Sequence, residues 1–311
     1  MGEARRIAAF VRLGRPHFLV GGFVLYALGA AAAAYDGARV ALVPYACGQA
    51  AITLTQWMTH YANDYFDLAA DRANVSPTRW SGGSRVLPAG ELAPRVALVA
   101  AVSLGLLALA VDVSFAALTT GGGRVLPLLL AALLLSWEYS APPLRLHSRG
   151  LGAPTVALVV AVMTPLAGYM VQAPLHGALP FLVVAPLACA ELVMIQLLDI
   201  PDAAGDVAAG KRTFVVRFGP ALTCRISLAV LVAVYAMVPV LVAYGLPLRV
   251  ALAVLLTVPV AAPLAWGLAR GTWRQPSKRG ALAFCGVAWF VSVAVAELVA
   301  FLSLATPPAP S

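Results

Sequence analysis

Asn63-Asp-Tyr-Phe-Asp-Leu-Ala-Ala-Asp71 ends one long apolar run of this chain, and Asp199-Ile-Pro-Asp-Ala-Ala-Gly-Asp206 ends another. Both read D-x2-D-x3-D: Asp64, Asp67 and Asp71 in the first, Asp199, Asp202 and Asp206 in the second, 135 residues later. Together they hold six of the chain's 13 acidic residues. Two unit charges about 4 Å apart repel by roughly 4 kcal/mol at an effective dielectric of ~20. Carboxylates crowded in this way need bound cations or raised pKa values.

The runs that these motifs end set the fold class. Of 311 residues, 61% are hydrophobic and 11% charged, and the mean hydropathy is +0.89. That excludes an ordinary soluble domain. A membrane-spanning helix needs about 20 mostly apolar residues, and nine stretches qualify: 17–35, 40–61, 95–111, 124–140, 154–172, 177–198, 220–244, 247–269 and 282–304. The third is short and the link at 112–123 is ambiguous, which leaves eight or ten spans open. The expected fold is an all-α membrane protein, about nine transmembrane helices in a bundle around a central cavity.

Charge sets the orientation. With the N-terminus inside, 18 of the 21 Lys and Arg residues fall in inner segments, and only Arg39, Arg124 and Arg249 fall outside. The positive-inside rule thus predicts a cytoplasmic N-terminus. It also accounts for the net charge of +8 through topology and anionic membrane lipid, so nucleic acid is not called for. No cleavable signal precedes the first span, which is expected to remain as an anchor in the cell membrane. The four cysteines, Cys47, Cys189, Cys224 and Cys285, lack metal spacing and read as packing residues.

Residues 1–311 are expected to form a single domain of two pseudo-related halves, about 1–140 and 141–311, each with an acidic motif closing a span. Three inner segments, 62–94, 139–153 and 199–219, are too long and too polar for simple turns. Lying on one side of the membrane, they predict one composite site opening to the cytoplasm.

In a helix, positions i, i+3 and i+7 share a face, so Asp64, Asp67 and Asp71 line up. Three carboxylates without a thiolate suit a hard cation, and Mg2+ is the one that joins carboxylates to substrate phosphates. Helix capping explains one such triplet, but two with identical spacing argue against it. His60 and His147 read as interfacial side chains. Pro201 and Gly205 are expected to break the helix at the second motif. Arg72, Lys211, Arg212, Arg145 and Arg149 interleave with the acids. Acids for Mg2+ beside bases for phosphate oxygens describe a diphosphate site, with a plain topological role for any one base as the alternative. Gly205-x4-Gly210-Lys211 imitates a P-loop, but Arg212 stands where Ser or Thr belongs and no strand precedes it.

A diphosphate handled inside a membrane suggests a prenyl diphosphate, whose allylic C–O bond ionises when the leaving group is stabilised and water excluded. Tyr61, Tyr65, Phe66, Trp137 and Tyr139 are the aromatic faces nearest the motifs. Glu191, two turns before Asp199, is either a base or acceptor contact or a paired buried glutamate.

These motifs resemble the UbiA superfamily of intramembrane prenyltransferases. Asn63, Asp64, Asp67 and Asp71 match its N-D-x-x-D-x-x-x-D hallmark, and Asp199, Asp202 and Asp206 match its second motif. Ala209-Gly-Lys-Arg-Thr213 with Val215-Val-Arg-Phe-Gly219 is similar to the stretch following that motif in quinone-side-chain enzymes. Tyr139-Ser-Ala-Pro-Pro-Leu-Arg145 with Arg149-Gly-Leu-Gly152 resembles the 1,4-dihydroxy-2-naphthoate and chlorophyll branches. The resemblance implies Mg2+ held by Asp64, Asp67, Asp71, Asp202 and Asp206, with Asn63 in support. It makes Asp199 a ligand or an aid to acceptor deprotonation, gives the diphosphate to Arg72, Arg145 and Lys211, and places Tyr139 near the allylic carbon. The substrates it implies are a prenyl diphosphate and a lipid-soluble or aromatic acceptor. The chain departs from the hydroxybenzoate branch at Pro143, and from the naphthoate branch at Ala153, where Glu is common. Two further readings are a terpene cyclase on the same fold and a transporter with an acidic inner mouth. The transporter needs charges on the outer half of the spans, where the sequence has almost none.

Overall fold

The computed structural model describes residues 2–304, and every regular element among them is helical. A short α1 (Glu3–Leu13) precedes α2 (Pro16–Tyr35), which opens on a proline whose fixed φ suits a first helical position. Then come α3 (Leu42–Phe66), the six-residue α4 (Leu68–Ala73), α5 (Pro94–Leu118) and α6 (Thr120–Glu138). A bent span runs from α7 (Gly152–Val156) through a π-helical stretch (Ala157–Met163) into α8 (Thr164–Gln172). The remainder is α9 (Leu179–Ala208), α10 (Phe214–Ala236), α11 (Val238–Ala243), α12 (Leu248–Leu255), α13 (Val258–Ala269) and α14 (Pro276–Leu304).

Helices cover all nine apolar stretches. By length and apolarity, seven spans among the described residues are fit to cross a membrane, and α12 with α13, bent by 43°, makes an eighth. The 25-residue α3 is long enough but less apolar, because Gln49, Thr53, Thr55, Gln56, Thr59 and His60 interrupt it. The third stretch is not short: α5 continues to Leu118 and absorbs most of the ambiguous link.

Two local expectations change. The first motif does not sit on one unbroken helix, since α3 ends at Phe66, Asp67 has φ −94 and ψ 1, and α4 restarts at Leu68. Conversely, α9 runs through Pro201 and Gly205 without a break. Proline costs a helix one hydrogen bond and a steric clash, which packing around a buried Pro201 absorbs here.

Small residues let the helices close up. A Cβ added at Gly29 would lie 1.8 Å from the Pro165 carbonyl oxygen, and one at Gly168 would lie 2.1 Å from that of Tyr26. Glycine at both positions brings α2 and α8 into backbone contact, the usual route to tight packing in lipid. The main core joins α2, α9, α10 and α14 around Leu25, Leu187, Leu197, Val234, Trp289 and Phe301. A second cluster, including Leu13, Tyr61, Leu87 and Ala101, seats α1 and the loop after α4 on α3 and α5. Tyr61 Oη donates to the Phe10 carbonyl at 3.0 Å, which holds α1 beside the first motif.

Candidate active site

Both aspartate motifs lie at the C-terminal ends of their helices, α3–α4 and α9, and α4 packs against α9. Gly205 permits that approach. A Cβ there would stand 2.7 Å from the Ala70 carbonyl oxygen and 3.0 Å from the Asn74 Cβ. The glycine expected to break a helix instead brings the two motifs together.

Between them a cavity of about 460 Å3 runs into the bundle. Asn63, Asp67, Asp71, Asp199, Asp202, Asp206, Lys211 and Tyr139 line its polar end, while Leu25, Ile52, Val160, Leu198 and Phe290 are among its apolar walls. Asp64 does not line it. Its carboxylate accepts from the Arg15 guanidinium and from the Ser84 hydroxyl and amide, which corrects its place beside the other expected ligands.

Lys211 joins the motifs. Its ammonium lies 3.0 Å from Asp67 Oδ1 and 3.2 Å from Asp206 Oδ1, and its side chain is 5% exposed. Burial alone would lower its pKa, but Asp67 and Asp206 raise it above the ordinary lysine value. Asp67 shows the converse: burial would raise its pKa, yet Lys211 and His147 hold it well below the usual carboxylate range. Asn63 Nδ2 donates to Asp67 Oδ2 at 2.7 Å. Burial pushes Asp71 up to about 7, with Arg15 opposing the push and Asp64, Asp67 and Asp202 adding to it.

The loop between α4 and α5 folds over the second motif. Asn74 Nδ2 donates to Asp202 Oδ1 at 2.8 Å, and the Gly82 amide donates to Asp202 Oδ2 at 2.9 Å. The other two inner loops are tied by the Arg212 amide on the Ser148 carbonyl at 2.7 Å.

His147 corrects the interfacial reading. It is 8% exposed, with Nδ1 3.6 Å from Asp67 and Nε2 3.4 Å from Asp199. Its ring stacks on Tyr139, centroids 5.0 Å apart and planes 8° from parallel. Burial would lower its pKa, but Asp199 and Asp67 raise it to about 10. His60 also lines the cavity, 5.9 Å from the Phe18 ring.

Arg72 and Arg145 are exposed and lie outside the cavity lining. Arg72 follows Asp71 by one residue, a turn of about 100°, and so faces away from it. Arg145 sits in a turn at φ 47. The cations that face the cavity are Arg15, Lys211 and His147. Arg15 reads as one of four topology-setting arginines in the sequence, and its contact with Asp64 spans 49 residues. A basic residue directly before Pro16, close to the first span, is the only local signal for it.

Among the described residues, no three His, Cys, Asp or Glu side chains converge in the geometry of a metal site. The negative charge is met by Lys211, Arg15, His147, Asn74 and Gly82. Asp71 Oδ2 and Asp206 Oδ2 are nevertheless buried without hydrogen-bond partners. An all-oxygen donor set with free carboxylate oxygens fits Mg2+ and disfavours zinc.

These features define an all-α membrane protein in which two matched acidic motifs share one largely apolar cavity. The model of the UbiA prenyltransferase family matches residues 22–293, and the chain belongs to that family. Several solved structures share the fold. A UbiA homologue from Aeropyrum pernix K1, in its apo form, is 20% identical at a TM-score of 0.62, over 86% of this chain and 97% of that one. A UbiA homologue from Archaeoglobus fulgidus bound to GPP and Mg2+ is 16% identical at 0.62, over 96% and 99%. A digeranylgeranylglyceryl phosphate synthase is 14% identical at 0.62, over the same shares. No curated protein matches the sequence.

Proposed function

We propose that this protein is an Mg2+-dependent prenyltransferase that moves a prenyl group from a prenyl diphosphate to an aromatic acceptor within the membrane. The observation that carries the reading is the pairing of both motifs across one cavity, strongly polar at the motif end and largely apolar over the rest of its lining. The Archaeoglobus fulgidus homologue bound to GPP and Mg2+ supports the same substrate class.

Asp67, Asp71, Asp202 and Asp206 would hold the Mg2+, with Asn63 orienting Asp67. When bound, the metal stabilises the departing diphosphate. Lys211 and Arg15 take diphosphate oxygens, in place of Arg72 and Arg145. A diphosphate drawing Lys211 away from Asp67 and Asp206 leaves those carboxylates free for metal. The allylic C–O bond then breaks and its electron pair leaves with the diphosphate. The Tyr139 ring, which lines the cavity and stacks on His147, would attract the allylic cation. The apolar walls hold the chain and exclude water. The electron-rich ring forms the new C–C bond and loses a proton to Asp199, whose carboxylate faces the cavity beside His147. The excess of Lys and Arg in the inner segments supports a motif end that faces the cytoplasm.

Membranes containing the protein, given geranyl diphosphate, Mg2+ and a cell extract, should release diphosphate and yield a prenylated aromatic compound detectable by mass. Asp67→Asn combined with Asp202→Asn should abolish both. Full activity in that double variant sinks the reading, and product formed without any acceptor replaces transfer with cyclisation.

A further inference from the structure

Beyond the motifs, the cavity carries a second polar tier. Glu191 lines it and is 1% exposed, and Oε2 has no hydrogen-bond partner. Gln56 also lines it, and its buried Oε1 has no partner. Gln56 precedes Asn63 by seven residues on α3, and Glu191 precedes Asp199 by eight on α9. At 1.5 Å per residue these are depths of about 10 and 12 Å. The two motif-bearing helices thus place one polar group each at matched depth, on the apolar side of the site. Side chains lean toward the helix N-terminus, which on both helices is the end away from the motifs. The two groups therefore stand apart from the metal tier, and the Gln56 amide lies against Gly22 on α2.

An unpaired carboxyl this far inside a membrane bundle is costly unless something completes its hydrogen bonds. The paired-glutamate alternative fails, since no group among the described residues bonds to Glu191. A prenyl chain offers only hydrocarbon and cannot supply the partner. We propose that Glu191 and Gln56 bind a polar substituent of the acceptor, and so select a hydroxylated aromatic. The inference rests on the prenyltransferase reading above. It adds a specificity determinant that none of the aspartates provides.

Binding tests it without knowledge of the natural acceptor. The full chain in lipid nanodiscs, loaded with Mg2+ and the unreactive analogue geranyl thiolodiphosphate, is titrated with 1-naphthol and with 1-methoxynaphthalene, which lacks the hydroxyl donor. A site built to hydrogen-bond a hydroxyl discriminates strongly against an analogue without it. The wild type should hold 1-naphthol at least about tenfold more tightly than the ether. Glu191→Leu should bring the ratio near one, and Glu191→Gln should keep part of it, with affinity for the diphosphate analogue unchanged in both. Equal binding of the two probes by the wild type, binding of neither, or a ratio that survives Glu191→Leu overturns the inference. Should Glu191→Leu lose the analogue by misfolding, the wild-type ratio and its partial retention in Glu191→Gln decide. Failure of the wild type to bind the analogue at all would instead remove the prenyltransferase reading.

Discussion

Replacing Lys211 by methionine tests the electrostatic logic of the site. Its ammonium lies 3.0 Å from Asp67 and 3.2 Å from Asp206, and the three side chains are 5%, 7% and 3% exposed. At an effective dielectric of ~20, each contact is worth about 5 kcal/mol of Coulomb attraction before desolvation is counted. Removing one partner of a buried ion pair costs about 3–5 kcal/mol, because the remaining charge is left uncompensated. Lys211→Met keeps the length and apolar stem of the side chain, so the loss is electrostatic. Without metal, the variant should unfold roughly 10 °C below the wild type. Millimolar Mg2+ should recover most of that difference, since a divalent cation replaces the missing charge between the same carboxylates. The wild type should gain much less from Mg2+ alone, because Lys211 already occupies the position. Thermal unfolding in detergent, with EDTA or with Mg2+, reads the effect. A variant as stable as the wild type in EDTA, or a deficit that Mg2+ leaves untouched, refutes the view that the motifs act as one site.

Gly205→Ala places a methyl group 2.7 Å from the Ala70 carbonyl oxygen, so α4 must move away from α9. Diphosphate release should fall at least about tenfold, with helicity by circular dichroism unchanged; wild-type turnover would show that the spacing of the motifs is not set there. Arg15→Gln removes the cation shared by Asp64 and the cavity and should lower activity at least about a hundredfold, whereas Arg72→Gln and Arg145→Gln, both on exposed side chains, should stay within about twofold. The reverse order in steady-state kinetics would restore the assignment suggested by the motifs.

The positions that sequence reasoning located were those with local signatures. Apolar runs give helices in a bilayer because backbone groups there can be satisfied only internally. Asn63, Asp67, Asp71, Asp199, Asp202, Asp206, Lys211 and Tyr139 all reach the cavity, since a motif at a helix end stays where the helix puts it. Arg15, Asn74, Gly82 and His147 were not legible. Each meets its partner across a long stretch of chain, from 48 residues for Arg15 with Asn63 to 128 for Asn74 with Asp202. Arg72 was misplaced for the complementary reason: nearness in sequence to an aspartate does not mean nearness in space when the helix turns about 100° per residue; Arg145 sits in a turn between helices that leaves its side chain exposed.

The sequence by itself therefore determined the membrane class, the helical fold and the two acidic motifs, because these depend on local composition and on periodicity within one helix. The tertiary structure alone decided which cations face those motifs and that Asp64 stands aside. It also showed that Gly205 serves contact between helices and that Glu191 lies unpaired in the cavity. Those outcomes depend on how α4, α9 and the loops close over one another, and no single segment contains that packing.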